Sequence, residues 1–433
     1  MNGKQLQLFP TAQFDTTYQP NHRSGTFVDN IKLPVHRWFR YSAGFSAQWV
    51  ESILKDWQLD ESSTILDPFA GGATTLLAAD KCGIPSIGIE AHPFVARIAQ
   101  SKLLWHSSQS DFIARAKTVQ ETALKLNDVA IDDYPELIKK CFSPQNIHQL
   151  TKLKIAYSAT ADNRPASDLT WLAITAILRP TASAKTAQWQ YILPNQNKTN
   201  VAEPFAAFQS QINMMQRDMV WMQNESSANL SKIISGDARN CAKIASNTID
   251  AVIASPPYAN NYDYADATRL EMSFWGEVQS WKDLHESVRK HLIVSCSQHA
   301  AKDQIELAEI LTRPELEPIR QEITSACYQL ATERESHGGK KHYHTMIAAY
   351  FADMAKVWIS LRRVCKSDAK ICWVVGDSAP YGVYIPVDKW LGELAIAAGF
   401  KSYDYTKLRD RNTKWKNRKH RVPLQEGILW ISG

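Results

Sequence analysis

Residues 64–94, TILDPFAGGATTLLAADKCGIPSIGIEAHPF, decide the fold class. The apolar pair Ile65 and Leu66 runs into a glycine-rich turn, and a helical pattern follows until near Gly83. A second short apolar strand pattern then ends at an acidic residue, Glu90. The order strand, glycine loop, helix, strand and terminal acid predicts an α/β fold with a doubly wound, mostly parallel sheet.

The turn itself reads DPFAGGATT and spans residues 67–75. Glycines at a strand-to-helix turn let the backbone approach a ligand closely. An acid at the end of the next strand can accept hydrogen bonds from both hydroxyls of a ribose. A glycine loop with a trailing acid also occurs as a plain tight turn, but the Asp-Pro-Phe lead makes this string more specific. The turn therefore favours a ligand site.

A second motif, Ala254-Ser255-Pro256-Pro257-Tyr258, follows the apolar strand pattern at 250–254. Two prolines at the end of a strand are poor sheet residues, so they hold the backbone and expose its carbonyls. Ligands bind at this end of parallel strands. A tyrosine held there offers a flat ring face to a planar ligand.

The two motifs together resemble the amino-methylating DNA methyltransferases, which transfer a methyl group from S-adenosylmethionine to cytosine N4 or adenine N6. The resemblance covers most of 31–105 and 231–433 and is weaker across 106–230. The loop departs from the family's Asp-Pro-Phe-x-Gly-x-Gly-Thr pattern at Ala73, where the family has its last glycine. Because that glycine mostly serves helix–strand packing, we expect alanine to be tolerated.

The resemblance implies S-adenosyl-L-methionine as cofactor. Asp67 is expected near its methionine amino group, Glu90 at the ribose hydroxyls and Asp237 at the adenine amino group. The full set implied for the cofactor is Asp67, Pro68, Phe69, Ala70, Gly71, Thr74, Glu90, Ala91, Asp237 and Ala238. Residues 36–46 resemble the family segment that closes over the methionine carboxylate.

The resemblance also implies a catalytic role for Ser255, Pro256, Pro257 and Tyr258. The Ser255 hydroxyl and the Pro256 carbonyl are suited to accept the hydrogens of an exocyclic amine, so that its lone pair faces the methyl group. Methyl transfer then depends largely on positioning. Tyr258 is expected to stack on the target base, which must leave the duplex because its amine is otherwise buried in base pairing.

Serine at the first position of the motif resembles the N4-cytosine branch. We therefore expect site-specific methylation of double-stranded DNA at cytosine N4, within restriction-modification and with a cognate restriction endonuclease as functional partner. Adenine N6 is the alternative, since the motif separates the branches only statistically. RNA guanine-N2 or protein glutamine methylation, normally with Asn or Asp at this position, and a non-catalytic binding module are further alternatives. C5-cytosine methylation needs a cysteine in the catalytic loop, and none lies between Cys241 and Cys296.

The rest of the chain suggests two insertions in one catalytic core. Residues 1–30 are polar and predict an N-terminal arm. The core is predicted at 31–105 and 231–433, and it ends in an antiparallel hairpin. Helical patterns at 106–230 and 276–341 predict two insertions, each a candidate for DNA recognition.

Two weaker signals concern DNA and the target base. Residues 407–421 are strongly basic, which predicts phosphate contacts rather than a plain solvated hairpin loop. The residues concerned are Lys407, Arg409, Arg411, Lys414, Lys416, Arg418 and Lys419. After the second motif, Tyr262, Asp263, Tyr264 and Asp266 either line a base pocket or order a loop.

Composition excludes several classes of protein. Of the 433 residues 44% are hydrophobic and 21% charged, which is typical of globular proteins. The seven cysteines are scattered without a Cys-x-x-Cys pair, so no disulfide framework or zinc site is expected, and the implied mechanism needs no metal. No apolar run approaches the ~18 residues of a membrane helix, and the first residues lack a signal-peptide layout. We expect a cytoplasmic protein with no membrane partner.

Overall fold

The computed structural model of the chain describes residues 24–41, 44–187, 190–226, 230–260, 262–300, 306–338, 341–411 and 422–433. The strands are β1 (Ile65–Asp67), β2 (Ser86–Glu90), β3 (Ala184–Thr186), β4 (Ile192–Asn197), β5 (Ser231–Ser235), β6 (Ile249–Ala254), β7 (Cys365–Gly376), β8 (Ser402–Arg411) and β9 (Leu424–Ser432). The α-helices are α1 (Ala47–Asp56), α2 (Thr74–Lys81), α3 (Pro93–Leu103), α4 (Gln109–Lys125), α5 (Glu136–Cys141), α6 (Pro144–Thr160), α7 (Pro165–Thr181), α8 (Pro204–Glu225), α9 (Arg269–Trp275), α10 (Trp281–Ser287), α11 (Ser297–Ala300), α12 (Leu307–Leu311), α13 (Arg320–Ser336), α14 (Tyr343–Val364) and α15 (Val387–Ala397).

Seven strands of the described chain form one sheet in the order β5-β2-β1-β6-β7-β9-β8. The first five are parallel to one another, and β9 runs antiparallel to both β7 and β8. This confirms the predicted α/β class with a mostly parallel sheet and a C-terminal antiparallel hairpin. The order of the strands reverses between β1 and β6, which is where ligands bind in doubly wound sheets.

Helices cover both faces of the sheet, so the central strands are apolar on both sides. On one face α1 packs against the sheet, and its Trp49 and Ile53 belong to the same buried cluster as Trp430 of β9. On the other face Trp358 of α14 stacks on Trp373 of β7 with ring centroids 4.0 Å apart. Helix α1 begins after Ser46, whose side chain accepts a hydrogen bond from the Trp49 backbone N–H.

The stretch 106–230 is mostly helical and contains α4 to α8. Among these helices α4, α6, α7 and α8 pack around a buried cluster that continues into α3 of the catalytic core. A small hairpin of β3 and β4, which the sequence did not predict, interrupts the helices. The stretch 276–341 contains α10 to α13, and α13 packs along α14. A role of either insertion in DNA recognition stays a prediction.

Packing against the core begins within the predicted N-terminal arm. Asn30 is fully buried, donates a hydrogen bond to the Phe45 carbonyl and accepts one from the Ala47 backbone N–H. Residues 1–23 of the arm lie outside the described residues. None of the helices in the described parts of the chain has the length and apolar character needed to cross a membrane.

Candidate active site

The topology brings the two sequence motifs side by side at the carboxyl edge of the sheet. Strands β1 and β6 are parallel neighbours, with Ile65 opposite Ala251 and Leu66 opposite Val252. The loops that follow them, 67–73 and 255–258, therefore leave the sheet next to each other. The hydroxyl of Thr75 in α2 donates a hydrogen bond of 3.2 Å to the Ile253 carbonyl, which ties the glycine loop to β6.

The glycine loop is held by two carboxylates. Asp67 accepts a hydrogen bond from the Phe69 backbone N–H at 3.0 Å. Glu90, at the end of β2, accepts from the Gly71 backbone N–H with one oxygen and from the His92 backbone N–H with the other, both at 2.8 Å. A carboxylate has about four lone-pair sites, so Glu90 can accept further hydrogen bonds.

Ala73 adopts the left-handed conformation with φ at +66°. A residue with a Cβ atom is disfavoured there by ~1–2 kcal/mol. The expectation that the family's glycine mostly serves packing is thus incomplete, because the backbone at this position also favours glycine. Ala73 itself is fully buried, and its backbone N–H donates to the Ala70 carbonyl, so the surrounding fold holds this conformation.

Both carboxylates of the loop are difficult to ionise. The pKa of Asp67 is raised to about 7, chiefly by burial and to a lesser extent by the nearby Glu90. Burial likewise raises the pKa of Glu90, against the backbone N–H groups of His92, Gly71 and Ala91, which lower it. Two acids that are desolvated and repel each other would be stabilised in their ionised form by a cationic ligand.

The third predicted acid, Asp237, follows β5 and lies at the same edge. Its carboxylate is one-third exposed and accepts from the side chain of Arg239 at 2.8 Å. Arg239 extends further to Asp353 of α14 at 3.2 Å and to the His291 carbonyl at 3.1 Å. Arg239 therefore connects the predicted adenine acceptor with α14 and the second insertion.

The predicted catalytic motif, residues 255–258, follows β6 beside β7. The Ser255 hydroxyl donates to the Val374 carbonyl at 3.4 Å, which leaves its lone pairs as acceptors. Tyr258 is partly buried, and the guanidinium of Arg411 lies 5.0 Å from the centre of its ring. The same guanidinium donates to the Asp377 carbonyl at 2.6 Å. One face of the predicted stacking residue is thus in a cation–π contact.

We call the basic segment 407–421 the basic hairpin. Those of its residues that the structure describes make intramolecular contacts. Lys407 pairs with Asp410 at 2.7 Å, and Arg409 pairs with Glu426 at 2.8 Å. Arg411 points inward to Tyr258 rather than outward, which the sequence did not predict. Four further predicted phosphate contacts lie outside the described residues: Lys414, Lys416, Arg418 and Lys419.

In the loop after residues 255–258, Asp263 and the two tyrosines beside it, Tyr262 and Tyr264, make different kinds of contact. Asp263 is buried in an ion pair with Arg289, and its backbone N–H donates to the Tyr191 hydroxyl at 2.5 Å. These contacts order the loop. Tyr262 and Tyr264 pack against each other with tilted rings whose centroids lie 4.3 Å apart. Burial raises the pKa of Tyr258 well above its ordinary value, and Tyr264 is one of the nearby groups that raise it too.

Lys102 is a buried residue of the site that the sequence reasoning missed. Its Nζ donates to the carbonyls of His36, Phe39 and Gly72 at 3.0, 3.1 and 3.3 Å. Burial lowers its pKa to about 7. Lys102 thereby joins the predicted carboxylate-closing segment to the glycine loop. Its place on the apolar face of α3, four residues after Ile98, was the available signal.

Comparison with known proteins agrees with this geometry. A family model described as DNA methylase, of the N6/N4 type, matches residues 8–101. The type II methyltransferase M.BsoBI of Geobacillus stearothermophilus is 25% identical, over 95% of this chain and 88% of its own length. The type II methyltransferase M.AvaI of Nostoc sp. is also 25% identical, over 87% of this chain and 81% of its own length.

The family model and both relatives support an amino DNA methyltransferase of the N4/N6 type. The methyltransferase also matches a solved rRNA methyltransferase, AviRa from Streptomyces viridochromogenes, with a TM-score of 0.29 and 11% identity over 90% of this chain and 85% of that one. A score this low carries no weight. These similarities support DNA as the substrate and S-adenosylmethionine as the methyl donor.

The site fits this methyl donor in one specific respect. S-adenosylmethionine carries two cationic groups, a sulfonium and an ammonium. Asp67 is buried and Glu90 half-buried, both have raised pKa values, and a cationic ligand beside them would favour their ionised forms. Within the described residues, no group of His, Cys, Asp and Glu side chains has the arrangement of a metal site.

Proposed function

We propose that this methyltransferase methylates the exocyclic N4 amine of cytosine at a specific sequence of duplex DNA, as the modification enzyme of a restriction-modification system. The observation that carries the choice of base is Ser255, at the first position of the catalytic motif. The type II methyltransferases that match most of the chain support sequence-specific modification. DNA as substrate puts this activity in the cytoplasm of a bacterial or archaeal cell.

The contact of Ser255 with β7 supports an acceptor role. Because the Ser255 hydroxyl can donate to the Val374 carbonyl, 3.4 Å away, its oxygen can accept a hydrogen from the target amine. The Pro256 carbonyl, which lacks a strand partner beyond the end of β6, is the proposed second acceptor. An amine with both hydrogens held this way presents its lone pair to the methyl group. Positioning then supplies most of the rate enhancement.

Tyr258 is the proposed stacking residue for the flipped base. Arg411 covers one face of its ring, so the base uses the other face or replaces the guanidinium. The ring pair Tyr262 and Tyr264 is a proposed wall of the same pocket. Asp263 is excluded from this pocket, because Arg289 holds its carboxylate in a buried ion pair.

For the cofactor we propose that Asp67 faces the methionine ammonium and that Glu90 accepts from the ribose hydroxyls. Phe69 packs edge-on against Trp373 of β7 with ring centroids 6.0 Å apart, so it shapes the loop from the inside. Asp237 is the proposed acceptor for the adenine amino group. The other proposed contacts are Pro68, Ala70, Gly71, Thr74, Ala91 and Ala238.

The two insertions and the basic hairpin are the proposed DNA contacts. Phosphate contacts fix the register of a protein on duplex DNA without reading its sequence. We therefore expect Lys414→Ala with Lys416→Ala to weaken binding equally on all sequences. A loss confined to the recognition sequence would contradict this role.

The decisive experiment is a methylation assay with labelled S-adenosylmethionine on unmodified duplex DNA, followed by nucleoside analysis. N4-methylcytosine is expected. N6-methyladenine would keep the mechanism and overturn the choice of base. Absence of label in DNA would overturn the proposed function itself.

A pair of serine variants tests the role of Ser255. Removing one hydrogen bond to the reacting amine is expected to lower kcat by about 10- to 100-fold in Ser255→Ala. S-adenosylmethionine affinity, measured by calorimetry, should not change. Ser62→Ala is the matched control, because this exposed serine lies before β1 at the opposite edge of the sheet. A normal kcat in Ser255→Ala would rule out the acceptor role.

A further inference from the structure

A cavity of about 140 Å³ lies between the second insertion, α14 and the loop after β5. Its charged and titratable lining is predominantly basic and consists of Arg239, His285, Arg289, Lys290, Arg313 and Asp353. We call this space the basic cavity. It adjoins the carboxyl edge of the sheet, because Arg239 lies two residues beyond Asp237.

Two of the lining cations are neutralised within the protein. Arg239 is paired with Asp237 and Asp353, and Arg289 is paired with Asp263. The one carboxylate of the lining is also committed. Asp353 accepts from Arg239 and from the Val294 backbone N–H at 3.2 Å. These pairs make the wall rigid and leave no lining carboxylate for a further cation.

The remaining donors are available to a ligand. The half-buried Arg313 makes no side-chain ion pair with any residue that the structure describes. Lys290 is about half exposed and reaches only an equally exposed Glu286, at 3.4 Å, and surface pairs of this kind contribute little. Nδ1 of His285 is buried without a hydrogen-bond partner among the described residues. The cavity therefore presents an excess of unused donors and positive charge.

We propose that the basic cavity binds a backbone phosphate of the substrate DNA through Arg313 and Lys290. Arginine and lysine are the side chains that contact phosphate oxygens, arginine often through two parallel hydrogen bonds. The inference rests on the proposed function, because it takes duplex DNA as the substrate. It adds a site in the second insertion that is separate from the basic hairpin.

The cofactor is a poor alternative occupant. S-adenosylmethionine has one anionic group, its methionine carboxylate, and the segment predicted to close over that group is residues 36–46. The side chain of Arg239 separates Asp237 from the cavity, since it binds the Asp237 carboxylate through Nε and reaches the second insertion through its terminal nitrogens. A phosphate in the cavity would lie beside the cofactor site without entering it.

The test is DNA binding by fluorescence anisotropy over a series of NaCl concentrations. Each phosphate contact contributes about one unit to the slope of log K against log salt concentration. We expect Arg313→Ala and Lys290→Ala each to reduce that slope by about one and to weaken binding about tenfold at low salt. The loss should be equal on specific and nonspecific duplexes, and S-adenosylmethionine affinity should stay unchanged.

Two controls make the result specific to the cavity. Arg313→Lys keeps the charge and should retain most of the affinity. Lys55→Ala removes an exposed cation at the end of α1, on the opposite edge of the sheet, and should leave the slope unchanged. If Lys55→Ala and Arg313→Ala lower the slope alike, general charge explains the effect and the inference is wrong.

A second arm separates DNA phosphate from free phosphate. The wild type and Arg313→Ala are titrated with inorganic phosphate at constant ionic strength, and thermal stability is followed. Stabilisation of the wild type alone, with unchanged DNA slopes in the variants, would assign the cavity to a free anion and overturn the DNA proposal. If the wild type methylates DNA and Arg313→Ala binds it normally, this inference fails and the proposed function stands. If the wild type does not bind DNA, the proposed function fails and the inference fails with it.

Discussion

The substitution Asp67→Asn is expected to stabilise the folded protein at neutral and alkaline pH while weakening cofactor binding. Asp67 is 1% exposed, and burial raises its pKa to about 7 from an ordinary value of 3.8. Asparagine has the same shape and keeps a carbonyl oxygen for the Phe69 backbone N–H. The substitution therefore removes the ionisation and little else.

The direction in which stability changes with pH follows from the pKa of Asp67 in the folded and the unfolded protein. Between about pH 4 and pH 7 the unfolded chain releases the Asp67 proton and the folded chain keeps it. Stability of the wild type therefore falls as pH rises through this window and stays low above it. One pKa unit corresponds to 1.36 kcal/mol, so the shift amounts to about 4 kcal/mol above pH 7. The Asp67→Asn protein should not lose this stability as pH rises, because asparagine does not ionise.

The assay is urea unfolding of both proteins without cofactor, at pH 5 and pH 8. We expect Asp67→Asn to gain up to ~4 kcal/mol over the wild type at pH 8 and clearly less at pH 5. Asp133→Asn, an exposed loop variant, should differ from the wild type equally at both pH values. If Asp67→Asn is no more stable than the wild type at pH 8, Asp67 is not a desolvated carboxylate and the reasoning is refuted.

Asp67→Asn is expected to stabilise the empty protein but to weaken its affinity for the cofactor. An ionised Asp67 attracts a cationic ligand, so S-adenosylmethionine should bind the wild type more tightly as pH rises through about 7. Asp67→Asn should lose this pH dependence and bind at least about tenfold more weakly at pH 8, because the proposed charged partner of the ammonium is gone. Calorimetry at several pH values measures the affinity for S-adenosylmethionine and its pH dependence. A site that is destabilising when empty and favourable when occupied is typical of ligand-binding positions.

Three other substitutions test the site. Lys102→Met leaves three buried carbonyls without their donor, so unfolding in urea should show a loss of ~3 kcal/mol or more. Calorimetry should also show weaker cofactor binding, because one of those carbonyls belongs to Gly72. Arg411→Met removes the cation–π contact with Tyr258, worth ~1–2 kcal/mol, and should lower single-turnover rates about tenfold at unchanged cofactor affinity, with Arg411→Lys in between. Glu90→Gln keeps an acceptor for the Gly71 backbone N–H but loses its charge, and should weaken cofactor binding about 10- to 100-fold by calorimetry.

Local pattern was sufficient for the elements that carry the site. The strand pattern at 250–254 lies within β6, and the helical pattern that follows the glycine loop corresponds to α2, which ends at Lys81. Apolar periodicity and capping residues act within a few positions of the chain, so the sequence specifies them directly. The predicted parallel sheet then requires the loops after β1 and β6 to meet at one edge.

The sequence was less informative where two distant segments pack together. The left-handed backbone at Ala73 was not anticipated, because alanine is not a residue typical of that conformation. The hairpin of β3 and β4 was missed within a stretch dominated by helical patterns.

Residues close together in the chain were enough to predict the α/β fold, the glycine loop and the position of the Ser255–Tyr258 motif. Tertiary structure alone decided the environments of Lys102, Arg411 and Asp263. The side chains of lysine, arginine and aspartate are exposed to solvent in most folded proteins. Here their partners are carbonyls, a tyrosine ring and Arg289, which lie 26 to 153 positions away. Such environments follow from burial and charge pairing in the folded core, which no local pattern encodes.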